Sequence, residues 1–416
     1  MNECTYIFFR QMKAWINQCC FYLCRVFPIK KNRISVCTFE GRGGFGCNPK
    51  YLVKELHRRN QSYEFIWFVN DMEKQFPSYI KKVPNTLLSR AYWLSTSKIW
   101  IDNYRKPYGT CKRENQYYMN VNHYTIGIKC TGLWRGAGFS HMAYLVSKND
   151  SDMMDSLVID SRWCEMVSPK GVLFLGPYLK TGAPRCDILF GDRLLARQWI
   201  REKHGLPKDA KIVMYAPTFR EKAQNGIRSV YSQLWSIDFQ RLLMNLDMKF
   251  GGKWYLCIRV HPQLASMIET YKNIAVQNRT FDESQADDMY EILAGMDAYI
   301  TDYSSAAFEA GFARIPVFIY ADDIQRYALD RGSLMWNLAT DSLGHVMNNR
   351  MITPEIETEF PFSVATDNYS LECNIKNFDM QQYCRQLDKF SDDVGLVFDG
   401  KASQRLADVV ESEIMK

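Results

Sequence analysis

The chain lacks the marks of several protein classes at once. Its 416 residues hold no low-complexity tract and no internal repeat, so a repeat array or a disordered chain has no support. The 13 cysteines are odd in number and scattered, with no C-x-x-C pair; Cys19, Cys20 and Cys24 form the only close group. Zinc-site and disulfide-framework readings therefore fail, and a reducing cytosol is the expected compartment. Excess charge is also scarce: 52 Lys+Arg against 46 Asp+Glu leaves +6. That suits a small anion or an anionic membrane surface and is too little to argue for nucleic acid. No carboxylate cluster demands a metal, and no cofactor is expected.

What remains is ordinary globular composition, 47% apolar and 24% charged, long enough for two or three domains. Residues 1–33 stand apart. Arg10, Lys13, Arg25, Lys30, Lys31 and Arg33 face a single acid, Glu3. Phe8, Met12, Trp15, Cys19, Tyr22 and Val26 recur at steps of four and three, one apolar helical stripe opposite Arg10, Lys13 and Asn17. The longest uncharged run there, Ala14 to Cys24, is too short to span a bilayer and carries no small-residue cleavage site. The expectation is an amphipathic helix lying on a membrane surface, with packing on the body of the protein as the alternative.

From Ile34 onward strands and helices alternate. Strands are expected at Ile34 to Thr38, Glu64 to Val69, Ser97 to Ile101, Gln116 to Val121 and Gly171 to Leu175. A helix starts at Asn48-Pro49, and another runs from Asp192 to His204 before the stop signal Gly205-Leu206-Pro207. A second series has strands at Lys211 to Tyr215, Trp254 to Val260, Ala298 to Ile300 and Val317 to Ile319. Helices are expected at Ser236 to Met248, Met289 to Leu293 and a closing Gly400 to Lys416. The pattern predicts two Rossmann-like α/β domains, residues 34–190 and 191–416, each a parallel sheet covered by helices.

Asp297 to Gly311 is the most informative stretch. A buried strand stops at Thr301-Asp302-Tyr303-Ser304-Ser305, and a small-residue helix follows. Such a junction offers unpaired backbone N–H groups and a positive dipole end, suited to phosphate; ordinary capping is the plainer use. Two further strands end in similar residues, one at Thr218-Phe219-Arg220 and one at His261-Pro262-Gln263. If the three strands are parallel neighbours, Thr218, Arg220, His261, Ser304 and Ser305 share one crevice fit for a diphosphate.

The first domain carries two other signals. Gly41-Arg42-Gly43-Gly44-Phe45-Gly46 matches G-x-G-x-x-G after a strand, so a dinucleotide enzyme is an alternative, although the helix begins beyond the last glycine. His123 follows the strand ending at Val121; across a cleft from the crevice, its imidazole could take a proton from an attacking hydroxyl.

Five ordered motifs bring in a resemblance: Asn48-Pro49-Lys50-Tyr51, Gly182-Ala183-Pro184-Arg185-Cys186-Asp187, Tyr215 to Arg220, Arg259-Val260-His261-Pro262 and Thr301 to Ser305. Together they resemble the CDP-glycerol glycerophosphotransferase family of teichoic-acid and capsule synthesis, from about Pro28 to about Leu406. The resemblance implies a GT-B fold with two domains facing a cleft and the nucleotide in the C-terminal one. It implies transfer of glycerol phosphate, or in relatives ribitol phosphate, from CDP-glycerol or CDP-ribitol to a hydroxyl of a lipid-linked acceptor, with release of CMP. It also implies a peripheral protein on the cytoplasmic face of the bacterial inner membrane. His123 aligns with the family's base and His261 with a histidine at the donor phosphates. Asp302, Ser304 and Ser305 align there too, Arg331 looks like a later cation, and Glu309 is assigned to the donor ribose. Asn122, Tyr124 and Cys130 depart from the usual tryptophan, glycine and lysine, which sets the acceptor side apart. A sugar-nucleotide glycosyltransferase on the same fold, or a catalytically altered relative, are the competing readings.

Overall fold

In the computed structural model the two runs of strands form two separate sheets. The structure describes residues 3–123, 126–218, 220–224, 227–231, 235–260, 276, 278–331, 334–338 and 358–416; for 3, 221–224, 227–231 and 328–331 it describes backbone alone. The first sheet contains β1 (Lys30–Cys37), β2 (Glu64–Val69), β3 (Ile80–Pro84), β4 (Ser97–Asp102), β5 (Tyr117–Asn120), β6 (Ser156–Ile159) and β7 (Tyr178–Lys180). They lie in the order β3-β2-β1-β4-β5-β6-β7, all parallel.

The second half supplies β8 (Lys211–Tyr215), the hairpin β9 (Arg220–Gln224) and β10 (Ile227–Tyr231), β11 (Trp254–Ile258), β12 (Thr280–Asp282), β13 (Ala298–Thr301), β14 (Val317–Tyr320) and β15 (Ser363–Ala365). Its sheet runs β12-β11-β8-β13-β14-β15, again all parallel, with the hairpin apart. Renumbered from its first strand, this order and that of the first six strands are both 3-2-1-4-5-6. That is the doubly wound order, whose reversal point opens a ligand crevice at the strands' carboxyl ends. The expected two-domain α/β architecture is present.

Local chemistry accounts for the boundaries. Helix Arg193–Lys203 starts where Asp192 accepts the N–H of Leu194, and Gly205 beyond its end takes a left-handed φ of 61°. The expected strand from Gly171 to Leu175 is absent. Helix Arg162–Gly171 runs through Pro169, and Leu175 is 85% exposed, so this apolar run has no sheet to join.

Helix Ala402–Met415, expected to close the second domain, packs on the first instead. Its Leu406, Ala407 and Val410 share a core with Ile34, Leu52 and Leu56. The leucine and valine side chains each contribute about 2 kcal/mol on burial, which favours drawing the chain's end back across.

Helix Glu3–Cys24 is present, with Ala14, Asn17 and Phe21 turned to the protein body. Its expected stripe, Phe8, Met12, Trp15, Cys19, Tyr22 and Val26, is on the exposed side. Among the described residues no helix is long and apolar enough to cross a membrane.

Candidate active site

At the reversal point of the second sheet, β8 lies between β11 and β13. The three strand ends anticipated as neighbours are therefore adjacent and parallel. The seam beyond β8 and β13 is stitched by the Ala216 N–H to Ile300 O at 2.9 Å and by Thr301 Oγ1 to Ala216 O at 2.7 Å. Asp302 Oδ1 then accepts the N–H of Thr218 at 2.8 Å and of Tyr303 at 2.6 Å. Thr218, Ser304 and Ser305 are half-buried at this end of the sheet. Ser304 Oγ accepts the Ala306 N–H at 3.3 Å, while Ser305 precedes helix Ala306–Phe312 without a side-chain cap bond.

Arg220 and Asp302, expected at the donor phosphates, are bonded to each other. Arg220 Nη1 donates to Asp302 Oδ2 at 2.8 Å and to Thr218 O at 2.7 Å; Nε and Nη2 donate to Asp323 at 2.7 and 2.9 Å. Its guanidinium lies 5.3 Å from the Tyr303 ring and 4.9 Å from that of Tyr327, and those rings stack at 3.7 Å. Two carboxylates hold the Arg220 charge firmly in place and raise its pKa despite burial. A cation so placed braces the Thr218 loop through the Thr218 carbonyl.

His261 lies outside the described residues, as does the Arg331 side chain, although Arg331 itself ends helix Ile324–Arg331. The chain leading to position 261 is anchored: Arg259 Nη1 donates to Glu283 O at 2.5 Å, and the Val260 N–H to Ser284 Oγ at 3.0 Å.

Across the cleft, His123 stands beyond β5 beside the reversal point between β1 and β4. Its Nδ1 is 2.7 Å from the carbonyl of Asn103, the residue after β4. A carbonyl can only accept, so Nδ1 carries the proton and the ring's lone pair is on Nε2. Phe39 and Tyr104 pack their rings on the imidazole at 5.4 Å each. Burial, together with the positive charges of Arg185, Lys129 and Arg105, lowers its pKa from 6.5 to about 4, so it is a neutral base at neutral pH. Asn122 takes a left-handed φ of 53° and accepts the His123 N–H on Oδ1 at 2.8 Å. Asparagine tolerates that conformation and caps it, a physical reason for its presence at this turn.

Residues that sequence reasoning noticed only as motif members join the two halves. Asn48 Nδ2 donates to the carbonyls of Val121 and Asn122 at 2.7 and 2.9 Å, and Asn48 Oδ1 accepts the Arg185 N–H at 2.9 Å. Arg185 donates to His123 O at 2.5 Å and to Glu309 Oε1 at 2.5 and 3.2 Å. Glu309, expected at the donor ribose, is fully buried in this ion pair and presents no surface to a ligand. Lys50 pairs with Asp288 at 2.9 Å and Glu291 at 2.6 Å. Asp187 accepts the N–H groups of Ala402 and Ser403 at 3.1 and 2.8 Å, fastening the closing helix.

The glycine-rich loop is explained by packing as well. A Cβ on Gly44 or Gly46 would overlap Asp287 of the opposite half, so these glycines allow close approach of protein to protein. The dinucleotide fingerprint has lost its distinguishing feature.

A profile of the CDP-glycerol:poly(glycerophosphate) glycerophosphotransferases matches residues 20–351. The chain belongs to this family. A teichoic acid poly(glycerol phosphate) polymerase of Staphylococcus epidermidis is 28% identical over 91% of the chain and 50% of its own length. The chain thus spans about half of that relative. A polymerase of the same description from Bacillus spizizenii is 23% identical over 90% of the chain and 94% of its own length. A teichoic acid poly(ribitol-phosphate) polymerase from that organism is 24% identical over 97% of the chain and 60% of its length. Among solved structures, the wall teichoic acid polymerase TagF superposes with a TM-score of 0.75 at 24% identity, covering 98% of this chain and 97% of that one. In this glycerophosphotransferase-family chain the motif residues divide by task. Asn48, Arg185, Asp187, Arg220 and Asp302 build the frame, while Thr218, Ser304, Ser305 and His123 stand at the two strand-end crevices. The partners of Arg185 and Arg220 lie 124 and up to 103 positions away along the chain, which local spacing could not reveal.

Proposed function

We propose that the chain transfers glycerol phosphate from CDP-glycerol to a hydroxyl of a lipid-linked acceptor, releasing CMP, in teichoic-acid-like or capsular polymer synthesis. The observation that carries this is the His123–Asn103 hydrogen bond, which fixes the tautomer a general base needs, on a fold whose opposite sheet ends in Thr218, Ser304 and Ser305. His123 Nε2 takes the proton as the acceptor oxygen attacks the glycerol-bearing phosphorus. Thr218 and the Ser304-Ser305 turn meet the diphosphate. With Arg220 paired to two carboxylates, the task of offsetting the negative charge of the departing CMP is shared with His261 and Arg331. Phosphoryl transfer asks chiefly for such positioning and electrostatics.

Membrane attachment fits the same reading. Trp15 and Tyr22 are exposed on the N-terminal helix at 67% and 57%, beside exposed Lys13, and Val26 in the turn just after it is exposed at 79%. Apolar anchors among basic residues suit an anionic lipid surface on the cytoplasmic face. Ribitol phosphate is the second donor to be tried, because a ribitol-phosphate polymerase aligns along 97% of the chain.

CMP release from CDP-glycerol and CDP-ribitol, and UDP release from UDP-sugars, with a glycerol-phosphate-terminated lipid analogue as acceptor, test the proposal. His123→Ala should lower turnover by about 10²–10⁴-fold, the usual worth of a general base, while the donor's thermal shift persists. Parent-like turnover in that variant would remove the base assignment. Turnover of a UDP-sugar alone would replace the reading with glycosyl transfer.

A further inference from the structure

Three consecutive carbonyls carry the His123 loop, and two side chains hold them. Asn48 takes those of Val121 and Asn122, Arg185 takes that of His123, and Asn48 and Arg185 are joined by the 2.9 Å bond between them. Arg185 then reaches Glu309, on helix Ala306–Phe312 directly after Ser304 and Ser305. The Tyr290 ring, 4.8 Å from the guanidinium carbon, packs against it.

We propose that Arg185, seated on Glu309, is a positioning residue that fixes His123 relative to the donor-side helix of the opposite sheet. This rests on the transfer reaction proposed above. Stability alone is a poor explanation of the pair. Arg185 is 3% exposed and Glu309 0%, and a buried ion pair is commonly no more stable than apolar residues of similar volume. What the guanidinium adds is geometry: a rigid fork that engages a carbonyl and a carboxylate in fixed directions. A lysine head in the same place is a point charge with no such fork. The linkage means that an altered seat at Glu309 displaces the carbonyl of the residue bearing the base. A displacement near 1 Å is worth about 10²-fold in rate when reacting groups must be aligned.

The charged groups acting on His123 are Arg185, Lys129 and Arg105, with the Asn103 carbonyl on Nδ1. Removal of the Arg185 charge therefore raises the imidazole's midpoint, whereas a lysine keeps it down.

The full chain is compared as parent, Arg185→Lys, Arg185→Met and Glu309→Gln. Two measurements are made: steady-state CMP release, and NMR of ¹⁵N-histidine-labelled protein, with His123→Asn identifying its signal among the six histidines. Arg185→Lys and Glu309→Gln should lower kcat about 10–100-fold with donor KM changed less than about threefold, the split expected of lost alignment rather than lost binding. The His123 signal should pass from the Nδ1–H form to a mixture of tautomers, and Arg185→Met should raise its midpoint from about 4. An unchanged kcat together with an unchanged His123 spectrum in the lysine and glutamine variants would overturn the proposal. If the parent releases no CMP from either CDP-alditol, the transfer reading fails, and the NMR measurement alone decides whether Arg185 holds His123. If Arg185→Met does not fold, the two conservative variants carry the test.

Discussion

Arg220 donates to Asp302 at 2.8 Å across the seam of β8 and β13, and its other edge meets Asp323 at 2.7 and 2.9 Å. One guanidinium thus faces two carboxylates, all three groups nearly buried. Removing the cation leaves both anions without compensation. Arg220→Ala is expected to cost about 3–5 kcal/mol, read as a fall in the urea midpoint. Asp323→Asn should cost less, because its amide oxygen still accepts from Arg220 and Tyr303. If Arg220 instead acted mainly on the donor, its removal would weaken CDP-glycerol binding and leave the midpoint unchanged.

His123 provides a pH test. Its pKa is lowered from 6.5 to about 4, first by burial. Between those values the unfolded chain binds the proton and the folded one does not, so this histidine's contribution to stability grows as pH rises from about 4 to 6.5 and is complete above. Across that window His123→Asn should flatten the pH dependence of unfolding free energy. In the parent, the acid limb of kcat/KM, which reports the free enzyme, should lie nearer pH 4 than pH 6.5. A limb at 6.5 would show that the imidazole is solvated as in an ordinary surface histidine.

The fold was more legible than the roles. Lys211–Tyr215 is found at its expected bounds, because an apolar run between turn residues has one reading when helices flank it. Ile80–Pro84 escaped notice: it is an edge strand with Lys81 and Lys82 at its centre, and only Ile80 and Val83 buried. Ser156–Ile159 is four residues long, too short for periodicity to register. The convergence of Thr218 with Ser304 was readable from strand ends. That Asp302 and Asp323 would take Arg220, or Glu309 take Arg185, was not, since a charge seen alone suits a ligand as well as a distant partner. Helical spacing found the N-terminal apolar stripe but not its direction, which is set by where Ala14, Asn17 and Phe21 meet the body.

Phe21 and Trp15 therefore separate the packing of this helix from its proposed membrane contact. Phe21 is fully buried and Trp15 is 67% exposed. Phe21→Ala should cost about 3–5 kcal/mol through the cavity it leaves. Trp15→Ser should alter stability by no more than about 0.5 kcal/mol and yet weaken sedimentation with anionic vesicles. Equal vesicle binding by parent and Trp15→Ser would remove this face from the membrane contact.

Gly46 tests how closely the two halves must meet. Its φ of −160° is extended backbone that any residue adopts, so a substitution brings no conformational strain and acts through contact alone. The Cβ of Gly46→Ala would overlap the main-chain oxygen of Asp287. The backbone there is restrained on both sides, by the Lys74–Asp287 ion pair and by Lys50 on Asp288, so relief requires the halves to separate. Overpacking of this kind costs about 1–3 kcal/mol. Because the nearby Arg185–Glu309 bond spans the same junction, turnover should fall by more than donor affinity. Gly46→Ala should lower Tm and speed proteolysis between the domains, whereas Gly136→Ala, with open space around its Cβ position, controls for loss of a glycine alone, strained there by its φ of 53°. If Gly46→Ala matches the parent in Tm and turnover, this contact is not what sets the distance between the two sheets.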